Sequence, residues 1–171
     1  VLGDFRRLHP MIRITVHRAL GSHIPDDVLR HGVELGVVTY DPQDHRLHSV
    51  VVYQDELTLV VPPKHPLAGE TEISLKQLGE ESFVAHIVSS PYREKVIEAV
   101  RHYKTPLHMD VELPTFQAIK RFVSAGNGVA FLPQISVESE LERGELVRIR
   151  VRELSLHREL RLIYRRSGST S

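Results

Sequence analysis

No cysteine occurs among the 171 residues. That excludes disulfides, thiolate metal sites and a cysteine nucleophile, and it is compatible with a reducing, cytoplasmic setting. Net charge is also lacking, because 22 Lys and Arg balance 22 Asp and Glu. A free-standing nucleic-acid binder carries a basic surplus, so these residues are not expected to bind DNA directly. No run approaches the roughly 20 apolar residues of a membrane span. Val1-Leu2-Gly3-Asp4 is not a charged start before an apolar stretch, so no signal peptide is read there. Enzyme signatures are missing too: there is no Gly-x-Ser-x-Gly elbow, no P-loop and no His-Glu-x-x-His. A catalyst, a metal protein or a cofactor carrier is therefore not expected. The paired carboxylates Glu80-Glu81 and Glu138/Glu142 read as solvated surface.

What is present is a globular composition, 41% hydrophobic and 26% charged, enough for a core. The length suits one domain or two small lobes. Leu2, Phe5 and Leu8 share one face of a helix that Pro10 ends. Ile12-Arg13-Ile14-Thr15-Val16-His17 alternates as a half-buried strand does. A helix start is read at Gly21-Ser22, with Ile24, Val28 and Leu29 as its apolar face. Val33 to Val38 reads as a strand buried on both sides. Leu47 to Gln54 and Glu56 to Val61 read as two strands separated by Asp55. Phe83 to Ile87, Met109 to Leu113, Val129 to Leu132, Glu145 to Val151 and Glu159 to Tyr164 are further strands. Helices are expected over Tyr92–Tyr103, Thr115–Ala125 and Gln134–Arg143. Strands alternating with helices imply an α/β fold with a largely parallel sheet. Ser167-Gly168-Ser169-Thr170-Ser171 reads as a flexible tail.

The sites with chemistry are helix starts. Gly21-Ser22, Ser89-Ser90-Pro91 and Pro114-Thr115 each put a hydroxyl between an apolar strand and an amphipathic helix. Such a residue caps free backbone N–H groups. The same N–H groups, with the helix dipole, attract an anion. In parallel α/β sheets these starts lie at the carboxyl ends of strands, where ligands bind. Arg93, in the first turn after Ser90, adds a charge for a carboxylate. The 11 histidines give no metal site: Asp44-His45-Arg46-Leu47-His48 lies in a loop, and no second cluster completes it. His86 is the histidine nearest a helix start. Gly126-Asn127-Gly128 follows a helix and precedes a strand, the reverse of a dinucleotide-binding fingerprint. Gly126 reads as the left-handed residue that ends the helix.

Several stretches together resemble one family. "VVYQDELTLVVPPKHPLAG" is similar to the strand pair and Pro-rich turn in the effector-binding domain of LysR-type transcriptional regulators. "ISLKQLGEESFVAH", "AIKRFVSAGNGVAFLP", "FRRLHPMIRITVHRALGS" and "LRHGVELGVV" match further parts of it, in order and spacing, over residues 2 to 166. The resemblance implies two Rossmann-like α/β lobes with a ligand cleft between them, similar to type-2 periplasmic binding proteins. Lobe I is then expected to hold residues 1–84 and 157–171, with its first strand missing, and lobe II residues 85–156. The crossings would fall near Val84–His86 and Arg152–His157.

By the same resemblance a small carboxylate or aromatic acid is the effector. Gly21, Ser22, Ser89, Ser90, Arg93, Thr115, Phe116, Leu132 and Pro133 are its candidate contacts. Homodimers or homotetramers are implied, with Leu2-Phe5-Leu8 and Ile12–Val16 as the contact surface. DNA would be reached only through an N-terminal winged helix-turn-helix that these residues do not include. The other reading of the same fold is an extracytoplasmic solute-binding protein of a transport system.

Overall fold

The computed structural model describes residues 2–166, so the Ser167–Ser171 tail lies outside them. The chain divides into two compact units, residues 1–52 with 161–171, and residues 53–160. This differs from the expected division at 84/85 and 156/157. The reason is strand pairing: the segment before residue 85 finds its ladder partners among later strands of the second unit.

In the first unit, α1 (Leu2–Leu8) is an amphipathic helix that buries nothing. The expected strand over Ile12–His17 does not form, and Met11 (95% exposed), Ile12 and Val16 face solvent. Helix α2 (Ile24–Leu29) buries Val28. The run Val33–Val38 yields only a short β1 (Gly36–Val38), with Val37 exposed, so it is not buried on both sides. β1 pairs antiparallel with β8 (His157–Arg165), Gly36 opposite Ile163. A side chain at Gly36 would run into Ile24 Cγ2 at 2.4 Å, so this glycine lets α2 lie on the strand. The core here is small: Val28, Val38, Leu47 and Ile163.

Asp55 does not break the next segment. β2 is a single strand, Leu47–Val61. Its second half, in the second unit, pairs antiparallel with β6 (Ala130–Pro133) and with β7 (Val147–Val151). β7 pairs parallel with β3 (Glu72–Ile73). β4 (Ser82–His86) pairs parallel with β5 (His108–Leu113), and a parallel bridge joins Phe83 to Val129 just before β6. The pairing is thus mixed, not largely parallel. The parallel part is the strand-helix-strand portion: β4, α3 (Pro91–His102), β5, α4 (Phe116–Ser124), β6, α5 (Gln134–Glu142). One core packs Leu59, Ile73, Leu75, Leu78, Phe83 and Ile149. A second packs Val60, Val84, Ile119, Val123, Leu132 and Leu146. Residues of β2 alternate between these two cores, as a strand covered on both faces requires.

The helix-to-strand turn fits its sequence reading. Gly126 has φ +86, its N–H reaches Val123 O at 2.8 Å, and Asn127 N reaches Phe122 O at 3.2 Å. That is a Schellman ending for α4. Gly128 has a different duty. A Cβ there would meet Ser82 O at 2.5 Å, so only glycine lets the chain pass β4 this closely.

Candidate functional site

Because β4, β5 and β6 run the same way, their carboxyl ends share one edge of the second unit, and α3, α4 and α5 begin there. Ser90 caps α3: its Oγ accepts from Arg93 N at 3.2 Å, with Pro91 in the first turn. Thr115 caps α4, accepting from Ala118 N at 3.1 Å. Both caps follow the sequence expectation. Ser89 does something else: its hydroxyl donates to Glu94 Oε1 at 2.9 Å.

Arg93 is not waiting for a ligand. Its Nη2 is 2.6 Å from Glu112 Oε1 on β5, and its Nη1 donates to the His86 carbonyl at 3.3 Å. His86 Nδ1 accepts from Val88 N at 3.0 Å, which leaves Nε2 as the protonated nitrogen of the neutral ring. The His86 ring meets Phe116 edge-on, with centroids 5.3 Å apart, and Phe116 is 39% exposed. Arg93 and Phe116 are therefore joined through His86, and Arg93 through its ion pair to Glu112, while Ser89, Ser90 and Thr115 adjoin them in the chain at the same strand ends.

The remaining expected contacts fare differently. Leu132 is 1% exposed and packs into the second core, so its side chain cannot line a solvent-accessible site. Pro133 is buried too and offers only backbone at the start of α5. Gly21 and Ser22 belong to the first unit. There the Tyr40 hydroxyl donates to Gly21 O at 3.0 Å, and burial, with Asp26 adding, pushes the Tyr40 phenol up. Helix α2 starts at Ile24, two residues after Ser22, and no side chain caps it.

Sequence reasoning missed Asp55. Its side chain is 1% exposed and accepts from Arg158 Nε at 2.9 Å, with Arg158 Nη2 at 2.8 Å. Its other oxygen takes Ile135 N at 3.3 Å, in the first turn of α5. Pro133 has no side-chain cap to give, so a carboxylate from β2 supplies it. Tyr92, beside Pro91, feels the same group: burial raises its phenol, Arg158 lowers it, and Glu159 and Asp55 raise it further. The available signal was an acid, followed by Glu56, inside an otherwise strand-forming run. Lys120 fastens α4 to α5, its Nζ 2.8 Å from both Ser136 O and Glu140 Oε1. That hydrogen bond, more than any other cause, holds Glu140 below the usual carboxylate range. The three helix starts are thus fixed by packing and ion pairs.

The Asp44-His45-Arg46 loop is self-contained. Arg46 takes Asp44 at 2.7 Å and 3.0 Å, and its hydrogen bonds lower the Asp44 carboxyl to about 2. Among the described residues no cluster of three or more metal-ligating side chains occurs, and no helix is long and apolar enough to cross a membrane.

A mixed α/β fold in two units, with helix starts gathered at parallel strand ends, defines a ligand-binding module. The chain belongs to the LysR substrate binding domain family, whose model matches residues 1–171. It is 31% identical over 156 residues to the HTH-type transcriptional regulator CbbR of Cereibacter sphaeroides, covering 91% of this chain and 50% of that protein. It is 29% identical to the RuBisCO operon transcriptional regulator of Allochromatium vinosum, over 82% of this chain and 47% of that one. The chain spans about half the length of these curated relatives. Its fold is that of the regulatory domain of Synechocystis PCC6803 CcmR, solved in complex with 2-PG. There the TM-score is 0.82 at 24% identity, covering 99% of this chain and 82% of that one. The chain is thus a LysR-type effector-binding domain of the two-lobed, type-2 periplasmic-binding-protein-like fold, and the relatives are regulators rather than transport proteins or enzymes.

Proposed function

We propose that this chain senses a small carboxylate for a cytoplasmic transcriptional regulator, and that the strand-end cluster of the second unit is where the acid binds. The observation that carries the reading is the convergence of two side-chain-capped helix starts, Ser90 and Thr115, on one edge with His86 and the exposed Phe116 ring between them. Helix starts favour an anion through their N–H groups and dipole, and an aromatic face suits the carbon skeleton of an organic acid. Occupancy alters transcription in the full-length protein only if the acid binds one conformation better than another. DNA contact is assigned to a part of the regulator beyond these residues. No group in the cluster is assigned a catalytic role. The 2-PG complex of the CcmR domain makes 2-PG the first acid to try.

The test is a thermal-shift panel of 2-PG, succinate and benzoate. A ligand at a hundred times its dissociation constant adds about 2.7 kcal/mol, which in a chain of this size raises the melting temperature by roughly 5–10 °C. Thr115→Ala should shrink the shift. A panel in which no acid moves the melting temperature overturns the reading.

A further inference from the structure

We propose that Glu112 is a built-in competitor for the effector: it holds the Arg93 guanidinium in the empty domain and must be displaced by the incoming carboxylate. This rests on reading the strand-end cluster as the effector site.

The two side-chain-capped helix starts differ in charge. The first turn of α4 contains no acid, so its N-terminal end is uncompensated. The start of α3 is already supplied with carboxylates. Glu94 sits in its first turn and holds the Ser89 hydroxyl at 2.9 Å, and Glu112 reaches across from β5 to Arg93 at 2.6 Å. Arg93 adds one positive charge against those two negative ones. A free anion approaching α3 therefore meets a position that the protein's own carboxylates have filled.

Glu112 is placed to leave. It stands opposite Ala85 in the β4–β5 ladder, one residue before β5 ends. Its side chain is 42% exposed, against 23% for Arg93, so water can solvate the carboxylate once it swings away. Its contact with Arg93 runs through one oxygen, Oε1, whereas a planar guanidinium can offer two parallel N–H groups to a carboxylate. Exchange of Glu112 for a ligand carboxylate leaves the charge at Arg93 balanced. The same exchange with an uncharged ligand strands the guanidinium. Glu112 therefore sets both the threshold for binding and the requirement for an acid. Arg93 keeps its aim throughout, because Nη1 rests on the His86 carbonyl at 3.3 Å.

The experiment is titration calorimetry of 2-PG, succinate and benzoate against wild type, Glu112→Gln, Glu112→Asp and the double variant Glu112→Gln/Arg93→Met. Glu112→Gln should bind the acids about two- to fivefold more tightly, the scale of a partly exposed ion pair relieved. Glu112→Asp, whose shorter arm weakens the hold on Arg93, should fall between and serves if the Gln variant folds poorly. The double variant should lose the gain. An acid that binds wild type with unchanged or weaker affinity for both Glu112 variants overturns the competitor and leaves the effector reading intact. A gain that survives removal of Arg93 also overturns it. Binding by Glu112→Gln alone supports the competitor in its strongest form, and binding by none of the proteins overturns both.

Discussion

Two hexapeptides with the same grammar end in different structures. Ile12-Arg13-Ile14-Thr15-Val16-His17 and His108-Met109-Asp110-Val111-Glu112-Leu113 both alternate polar and apolar residues. The second is β5, laddered to β4 through Val84–Val111 and His86–Leu113. The first is irregular, with Val16 72% exposed. Alternation states which face a strand would bury, but it cannot supply the backbone partner that the strand's N–H and C=O groups need. The second unit has that partner, and two cores behind it. Among the described residues the first unit has one small core and no strand beside Ile12–His17. A sheet neighbour, more than hydrophobic pattern, separates the two units.

The sharpest way to break the contrast is inside the second unit. Asp55→Ala leaves the partly buried Arg158, its side chain 14% exposed, without this partner and removes the cap on α5. Loss of one member of such a pair costs about 3–5 kcal/mol, which urea denaturation would register as a lower midpoint. A change below about 1 kcal/mol would remove Asp55 from its place in the fold's support. Next comes a matched pair of truncations. Ile119→Ala, at a residue 1% exposed, should lose about 2–5 kcal/mol. Ile14→Ala, at a residue 37% exposed, should change stability by about 0.5 kcal/mol or less. Similar losses at the two sites would mean that Ile12–His17 is a folded strand after all.

The smallest effect concerns association. The apolar face of α1 and the Ile12–Val16 segment are what we assign to pairing between copies, because Leu2, Phe5, Ile12 and Val16 stand exposed together in the sequence. Phe5→Glu should shift sedimentation toward monomer with little change in the melting temperature. An unchanged sedimentation profile would move the pairing surface elsewhere.

Much of the candidate site was legible. Ser90 and Thr115 declare themselves as caps by lying between an apolar strand and an amphipathic helix, and both perform that role. Gly126 was readable as a helix ending for the same local reason. Arg93 reads from the sequence as a charge beside its helix start, but nothing local reveals that Glu112, 19 residues away, reaches it. Leu132, a candidate contact by resemblance, lies in the core: a strand end can approach a site while its side chain turns inward. Asp55 looked like a break between strands, because an acid in a strand is explained only by its distant partners Arg158 and Ile135.

By itself the sequence determined the elements whose causes are local: the caps, the glycine ending of α4, the helix faces and the family the motifs resemble. Tertiary structure alone decided which alternating segment becomes a strand, where the two units divide, and which charges are already spoken for. Those outcomes depend on groups brought together from far along the chain, and a residue's own neighbours carry no record of them.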